Sequence, residues 1–443
     1  MSASAYEQPA SAAAVAVLHS AQEGNRITEV PARPAPTTTL SDISGASQFE
    51  ADKLEVRIVR SVPELQQLEA DWQLLADHAL ESNPFYEPYM VLPALKHLEG
   101  EPRPYFALVF CPHPSGRKGE KLLTGFFPLV EKPLGGFALP FVSLWKHGFC
   151  YLGTPLLLCS AARQTLTAFC DWLERTSVMN HAVLRLEDMC ASGEFRQLLV
   201  DELHRRGWPS QVSHAYTRAI FNPAPTATEY LERALSGRRR KELRRLQSRL
   251  SETGKLEVTA NDPLPVFTRE FIELEARGWK GRSSVAVAAM ERRQSHFEAL
   301  CTEAASRGRL MTLTMRLDGK PIAMKMNLFG ANGSFAFKIT YDEQFAKFSP
   351  GVLLEIENIE RLHALPKRTF MDSCAAPNRF MINHLWPDRR EIQTVLITSN
   401  AVIPSLTLSL IPLVKWARDH GKEKVEQFRE KYLGKAWAGL RRL

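Results

Sequence analysis

Three short apolar segments follow one another in the second half of the chain, at 310–317, 320–329 and 334–341. The last segment is rich in aromatic and β-branched residues, as strands are. The dipeptides between the segments, Asp318-Gly319 and Asn332-Gly333, favour tight hairpin turns. The pattern therefore predicts a three-stranded antiparallel meander.

The pattern changes to helical spacing directly after the meander. Apolar residues recur at Val352, Leu353, Ile356, Ile359 and Leu362. Ser349 would be the N-cap of this helix and Pro350 its first residue. Free amides at such a helix end, helped by the helix dipole and by close backbone approach at Gly351, can hold phosphate. An ordinary capped strand–helix junction is the alternative that these residues leave open.

The remaining segments predict two halves with the same order of elements. The first half, 51–222, is predicted to contain strands at 54–59, 105–110, 122–130 and 182–186 and helices at 62–79, 161–176 and 194–206. The second half, 223–400, adds helices at 228–253, 264–278 and 290–307 and strands at 256–258, 368–371 and 391–398. We expect a disordered tail at 1–50 and a basic helical segment at 401–443. The fold class is α/β.

Composition narrows the class of protein. With 44% hydrophobic and 24% charged residues, the 443-residue chain is near globular averages. Its seven cysteines form no Cys-x-x-Cys pair and its histidines show no metal-ligand spacing, so we predict neither a disulfide framework nor a metal site. The apolar run at 12–18 is short and no basic residue precedes it, since the first is Arg26, so a signal peptide is not expected. The run at 401–414 is interrupted by prolines and is too short for a membrane span. We therefore expect a cytoplasmic protein, with peripheral membrane association as the alternative.

The net charge of +7 is concentrated at 237–249, where seven basic residues accompany one Glu242. Such a helix could contact nucleic acid, acidic lipid or CoA phosphates, and a solvated helix face is the alternative. No aromatic residue interleaves with the arginines, so we rank nucleic acid below the other partners.

Four segments carry a resemblance to a known family. They are FKITYDEQFAKFSPGVLL from Phe337, LEADWQLLADHALESNPFYEPYMVLPAL from Leu68, ELEARGWKG from Glu273 and MDSCAAPNRFMINHLWPDRR from Met371. The chain resembles, over 54–400, GNAT-related acyltransferases of the CelD-like cellulose-biosynthesis family, which are allied to the FemAB transferases. The resemblance implies tandem GNAT-like halves in a FemAB-like arrangement, with mixed, mostly antiparallel sheets flanked by helices. It also implies an acyl-CoA donor, most simply acetyl-CoA, and an amine or saccharide hydroxyl acceptor.

Direct transfer from a thioester requires groups that orient the acceptor, remove its proton and stabilise charge on the carbonyl oxygen. Lys338 shares a strand face with Thr340 and would point into the cleft, unless it is an ordinary exposed strand lysine. Asp342 would lie at the rim. Asp372 opens a polar loop after a strand, and its family match makes it the preferred acid or base.

The predicted site has three parts. The catalytic candidates are Lys338, Asp342 and Asp372. The donor-binding candidates are Ser349, Pro350, Gly351, Val352 and Leu353. The acceptor-side candidates are Glu275, Trp279, Lys280 and Asn378. Weaker candidates are a covalent route through Cys374 with His384, and a groove wall formed by Trp145 and His147.

The sequence thus predicts a GNAT-type acyltransferase that acts in bacterial cellulose or exopolysaccharide production, with peripheral association at a membrane polysaccharide-synthesis complex among the expected partners. One rival is FemAB-like transfer from aminoacyl-tRNA, in which the basic helix would contact phosphates. The other is a non-catalytic assembly or regulatory protein that retains the fold.

Overall fold

The computed structural model describes residues 40–400, except 99, 101, 117–118, 134–139, 177, 182, 283–285, 366–369 and 378–379, together with residues 406, 408 and 409. The first half contains α1 (Leu40–Gly45), β1 (Glu55–Val59), α2 (Val62–Gln67), α3 (Glu69–Asp77), α4 (Pro88–His97), β2 (Tyr105–Pro112), β3 (Lys121–Pro133), β4 (Pro140–Leu144), β5 (Leu156–Leu157), α5 (Ala162–Arg175), α6 (Val178–His181), β6 (Val183–Cys190), α7 (Glu194–Arg206) and β7 (Ser210–Phe221). The second half contains α8 (Ala227–Ala234), α9 (Gly237–Ser251), β8 (Leu256–Ala260), α10 (Leu264–Arg277), α11 (Trp279–Arg282), α12 (Glu291–Ser306), β9 (Leu310–Leu317), β10 (Lys320–Phe329), β11 (Ser334–Tyr341), α13 (Pro350–Ala364), β12 (Met371–Asp372), α14 (Phe380–Leu385) and β13 (Asp388–Ile397).

The described strands form one sheet in the order β1-β2-β3-β4-β6-β13-β7-β12-β11-β10-β9-β8, with β5 beside β3. Two pairs, β4 with β6 and β11 with β12, are parallel, and the other pairs are antiparallel. Parallel strands need a crossover connection, and in each half the crossover contains a helix: α5 between β4 and β6, and α13 between β11 and β12. The predicted fold class, a mixed and mostly antiparallel sheet flanked by helices, is confirmed.

The two halves exchange their last strands. β7 of the first half pairs with β12 of the second, for example at Phe221 and Met371. β13 of the second half pairs with β6 of the first, for example at Ile392 and Cys190, and β7 and β13 lie side by side. The boundary at residue 222 therefore divides the chain in sequence but not in space, because the exchanged strands join the halves by backbone hydrogen bonds.

Aromatic packing fills the first core and reaches into the second half. Trp72 stacks on Phe126 with ring centroids 4.3 Å apart. Phe85 of the first half meets Phe335 of β11 edge to face at 5.7 Å. A second core lies between the sheet and the helices α9 and α13. The basic helix α9 packs there through Leu243, Leu246 and Leu250, which are buried.

The predicted meander of β9, β10 and β11 and the helix that begins at Pro350 are both confirmed. The helix predicted at 228–253 is instead two helices, α8 and α9, because the chain leaves helical geometry at Leu235 and Ser236. Of the strand predicted at 368–371, the structure shows Met371 in β12.

Residues 40–50, which we assigned to the tail, include helix α1 and bury Ile43 and Ala46, because these apolar side chains find partners on the first core. The rest of the predicted tail lies outside the described residues, as does the C-terminal segment apart from residues 406, 408 and 409. In the part of the chain that the structure describes, no helix has the length and apolar character to cross a bilayer.

Candidate functional site

The chain turns sharply where the phosphate site was predicted. β11 ends at Tyr341, a 3-10 turn covers Glu343–Phe348, and α13 begins at Pro350. Ser349 is the N-cap, as predicted, but its side chain makes no capping hydrogen bond. Its backbone is left-handed, with φ 54° and ψ 51°, which costs a non-glycine residue about 1–2 kcal/mol. Strain of this kind concentrates at functional sites.

A cavity of about 520 Å³ opens at this turn, within the size range of small-molecule sites. Its lining consists of Ala234, Leu235, Ser236, Arg239, Tyr341, Ala346, Ser349, Pro350, Gly351, Val352, Met381, His384 and Leu385. Four of the five predicted donor-binding residues are in this set. The fifth, Leu353, is buried in the second core.

Two helix N-termini meet at the cavity, because α9 begins beside it as well as α13. Ser236 caps α9 by accepting a hydrogen bond from the Arg239 amide at 3.3 Å. No acidic residue is among the described residues that line the cavity. The Gly351 amide donates no hydrogen bond to another described residue, and a Cβ at Gly351 would lie 3.3 Å from the Tyr341 ring. The cavity therefore suits an anion such as a phosphate.

The sequence signal for α9 was the pair Ser236-Gly237, which resembles the start of α13. It was missed because 228–253 was interpreted as one helix.

On the side away from β10, the C-terminal half of β11 pairs with no described strand, and we call this side the free edge of β11. β12 pairs with β11 only at Ser334 and Phe335. The Asp342 amide donates a hydrogen bond to the Ile322 carbonyl of β10. In an antiparallel pair, alternate residues point their backbone groups toward and away from the partner strand, so the amides and carbonyls of Ile339 and Tyr341 point away from β10. No described strand lies on that side. The edge thus leads from the cavity, at Tyr341, toward the middle of β11.

A β-bulge lies in the middle of β11. The register with β10 shifts between Lys338 and Ala336, which leaves Phe337 as the extra residue. The Phe337 ring and the Lys338 ammonium consequently lie on the same side, 6.0 Å and 5.1 Å from the ring centroid of Phe149. The bulge re-aims Lys338 toward the first half.

Three predicted residues meet beside the free edge. Glu275 Oε1 lies 2.9 Å from Lys280 Nζ and 3.5 Å from Lys338 Nζ, and Glu275 Oε2 accepts the Val287 amide at 2.8 Å. Lys280 Nζ also donates to the Ile339 carbonyl at 2.8 Å, which places this cluster at the edge of β11. The side chains of Glu275 and Lys338 are 0% and 9% exposed, so Lys338 is not an ordinary surface lysine.

For Glu275 and Lys338, burial and the neighbouring opposite charges have opposing effects on the pKa. Burial alone would raise the pKa of Glu275, but Lys338 and Lys280 hold it below its ordinary value. Burial lowers the pKa of Lys338, and Glu275 offsets only part of that effect. A neutral amine at Lys338 is therefore easier to reach than at an exposed lysine.

The first half and α12 supply the surrounding wall. Phe149 stacks on His296 at 5.0 Å, and Tyr151 lies 5.9 Å from Phe337. Burial lowers the pKa of His147 to about 4 and that of His296 to about 3, so both rings are neutral near pH 7. The sequence indicated His147 as a wall residue, whereas Phe149 and His296 carried no signal because their role depends on contacts between the halves.

Two acceptor-side predictions cannot be placed. The side chain of Trp279 and the whole of Asn378 lie outside the described residues. Among the described residues, no three His, Cys, Asp or Glu side chains are grouped to hold a metal.

Asp342 has a structural contact. Its Oδ1 accepts the Gln344 amide at 2.9 Å and caps the turn Glu343–Phe348. It lines a second cavity of about 780 Å³ on the other side of Tyr341, which also lines the first cavity. This capping contact gives no support to a catalytic role.

Asp372, the preferred acid or base, is fully buried in an ion-pair network. Its carboxylate lies 2.6 Å from Arg218 Nε and accepts hydrogen bonds from Arg218 and Arg390 at 2.8 Å and from the Cys374 amide at 2.9 Å. Burial would raise its pKa, but the two guanidinium groups hold it below the ordinary value. A sealed, stabilised carboxylate is a poor base, so the structure gives Asp372 a structural role instead.

The covalent route is also disfavoured. Burial raises the pKa of the Cys374 thiol, which keeps it protonated and weakly nucleophilic. His384 instead lines the cavity beside Gly351.

Comparisons with known proteins give one family match and several similar folds. Residues 237–380, which include Gly351 and the cluster of Glu275, Lys280 and Lys338, match the family model described as an acetyltransferase (GNAT) domain. The chain is similar to the crystal structure of FemX, with 12% identity and a TM-score of 0.51 over 81% of this chain and 99% of that chain. This likeness shows the fold alone.

Two further solved structures are more distant. A conserved protein of unknown function from Bacteroides thetaiotaomicron VPI-5482 is 12% identical, with a TM-score of 0.46 over 78% of this chain and 100% of that chain. A tandem GNAT protein from the clavulanic acid biosynthesis pathway is 14% identical, with a TM-score of 0.39 over 78% and 98%. No curated protein matches the sequence. The CelD-like part of the resemblance is not confirmed by these matches.

Replacing Asp372 by Asn should lower the free energy of unfolding by about 3–5 kcal/mol, because Arg218 and Arg390 would stay buried without a counter-charge. Asp388→Asn is the control. Asp388 lies in β13 and pairs with Arg233 at 3.2 Å near the surface, so its loss should cost less than about 1 kcal/mol. Urea unfolding at pH 7 measures both variants, and equal losses would contradict the structural role of Asp372.

The same network predicts a pH dependence. Because the folded pKa of Asp372 lies below its ordinary value of 3.8, the stability it contributes is present above that value and is lost as the pH falls through the folded pKa. The gap in unfolding free energy between wild type and Asp372→Asn should therefore narrow in acid below about pH 4. A gap that stays constant into strong acid would count against the ionised form as the stabilising species.

Proposed function

We propose that this protein is a GNAT-type acyltransferase that moves an acyl group, most simply acetyl, from acyl-CoA to an amine or to a saccharide hydroxyl. The observation that carries the proposal is the free edge of β11, which connects a cavity suited to phosphate at Gly351 with the buried cluster of Glu275, Lys280 and Lys338. The GNAT match over 237–380 supports the reaction class.

The donor would extend along β11. Its pyrophosphate would bind at the start of α13, near the Gly351 amide, with Arg239 and the start of α9 adding positive charge. The amides of its pantetheine arm would pair with the Ile339 amide and the backbone groups of Tyr341, as an added strand does, while the Ile339 carbonyl keeps its hydrogen bond from Lys280. Tyr341 is four residue steps from Phe337, about 13 Å of strand, so an extended arm would carry the thioester to the bulge.

The chemistry would be direct transfer without a covalent enzyme intermediate. Lys338, in its neutral form, would accept the proton of the attacking acceptor. Lys280, held at the edge by Glu275 and the Ile339 carbonyl, would help to stabilise negative charge on the thioester oxygen. The ionised Glu275 would orient both amines, since it contacts each of them.

The acceptor would enter between the halves, where aromatic rings line the cluster. Such rings suit a ligand with an apolar face or a cationic amine. A role in cellulose or exopolysaccharide production, and association with a membrane complex, rest on the sequence resemblance and are part of the proposal.

Acetyl-CoA binding tests the donor site. In isothermal titration calorimetry the wild type should bind, and Gly351→Val should weaken binding at least about tenfold, because the added side chain obstructs an amide that would otherwise bind phosphate. Gly100→Val is the control, since its Cβ would meet no atom within 4 Å.

The Ser349 turn is tested by the same titration. Ser349→Gly should keep binding because glycine accepts the left-handed turn, whereas Ser349→Pro should lose it. A wild type without affinity for acetyl-CoA would refute the donor assignment.

The pH profile tests the base. With the best acceptor from a panel of amino sugars and polyamines, the rate of CoA release should rise with pH through a midpoint below the ordinary lysine value of 10.5. Glu275→Gln should move that midpoint to lower pH, because the carboxylate favours the charged form of Lys338. Glu273→Gln on the same helix, where Glu273 faces Arg277 at the surface, should leave the midpoint unchanged. Identical profiles for all three proteins would exclude Lys338 as the base.

FemAB-like transfer from aminoacyl-tRNA remains the second candidate. The FemX fold fits it, and Arg238, Lys241, Arg244, Arg245 and Arg249 are exposed on α9, which begins at the cavity. Activity that requires aminoacyl-tRNA and ignores acetyl-CoA would select this reading. Biological function that survives Lys338→Ala combined with Glu275→Gln would instead favour a non-catalytic protein.

A further inference from the structure

Lys338 carries an amine that is desolvated but only loosely held. Its ammonium lies 3.5 Å from Glu275 Oε1, and the flat face of Phe149 covers it at 5.1 Å. The same carboxylate oxygen is closer to Lys280, at 2.9 Å, and the other oxygen is used by the Val287 amide. Glu275 therefore holds Lys280 and the Val287 amide at shorter distances than it holds Lys338.

The two lysines of the cluster differ in the availability of a lone pair. Lys280 directs hydrogen bonds to two oxygen atoms, Glu275 Oε1 and the Ile339 carbonyl, at 2.9 Å and 2.8 Å. Lys338 makes one long hydrogen bond, to Glu275 Oε1 at 3.5 Å, and burial favours its neutral form. Of the two, Lys338 is the better nucleophile, since a neutral amine attacks a carbonyl and an ammonium does not.

The position of Lys338 brings this amine next to the route of the donor. It follows the bulge at Phe337, and its partner Lys280 contacts the Ile339 carbonyl on the free edge. A thioester that reached the bulge would meet Lys338 before any acceptor had entered from the space between the halves.

We propose that Lys338 is itself a site of acylation, modified by the bound acyl-CoA when no acceptor is present. This inference rests on the proposed function, because it needs the donor to bind along β11. The neutral Nζ attacks the thioester carbonyl carbon, a C–N bond forms and the C–S bond breaks. CoA leaves as a thiolate and takes up the proton that the nitrogen loses, so an amide and free CoA are the only products.

The modification would limit the enzyme's own activity. An amide nitrogen has no basic lone pair, so an acylated Lys338 cannot accept a proton from an acceptor. Its charge is lost as well, which leaves Lys280 as the ammonium that contacts Glu275. Acyl-CoA without acceptor would thus switch the transferase off.

Isotope-labelled acetyl-CoA tests the inference without knowledge of the acceptor. The full-length protein is incubated with the labelled donor and digested, and labelled peptides are quantified by mass spectrometry. Lys338 should be labelled at least about ten times faster than the exposed Lys53, because the bound donor would hold its thioester beside Lys338 and not beside Lys53. Pre-labelling should lower the subsequent rate of transfer to an acceptor in proportion to the modified fraction.

Three variants separate enzymatic from chemical labelling. Lys338→Arg keeps the positive charge and should remove the label at this position. Gly351→Val should abolish the label at Lys338 but not the slow background at Lys53, and circular dichroism verifies that it folds. Lys53→Arg should leave the labelling of Lys338 unchanged.

Two negative results have different meanings. If calorimetry shows that acetyl-CoA binds while Lys338 acquires label no faster than Lys53, self-acylation is overturned and the proposed function stands. If acetyl-CoA neither binds nor labels Lys338, the acyl-CoA donor and the inference that rests on it both fail.

Discussion

The buried carboxylate of Asp372 is the interaction on which the rest of the structure depends. It joins β12 to β7 through Arg218 and to β13 through Arg390, at the place where the halves exchange strands. It also accepts the Cys374 amide, and Cys374 is left-handed with φ 52°, so the chain turns out of the sheet there. The pairing of β12 with β11 therefore ends after two residues, and the free edge of β11 results.

The sheet separates the two parts of the proposed reaction. On one face, the starts of α9 and α13 create a positive cavity without acidic lining among the described residues. On the other face, Glu275 holds two lysines against aromatic side chains from the first half. The free edge connects the two faces, and the bulge at Phe337 turns Lys338 toward Phe149 of the first half. Neither half contains this arrangement alone, since Phe149 and Tyr151 come from the first half and the cluster from the second.

Much of the site could be predicted because its signals are local. The helix start at Ser349, Pro350 and Gly351 is a short-range pattern of capping and turn residues, and the structure places it at a cavity. Glu275 and Lys280 were found through motif resemblance and Lys338 through strand alternation, although their mutual contacts join α10, α11 and β11. Asp372 was found by the same route and given a different role. The sequence shows a carboxylate after a strand but not the two arginines, which lie 154 and 18 positions away.

The sequence by itself determined the element order, the meander and the positions of the candidate residues, because hydrophobic period, turn dipeptides and helix caps act within a few residues. Tertiary structure alone decided the strand exchange, the bulge, the neutral histidines and the burial of Lys338. The strand exchange and the bulge depend on which distant strands pair with one another. The neutral histidines and the buried lysine depend on which distant segments exclude water from them. Strand order and desolvation are properties of the packed chain, so no local pattern of residues records them.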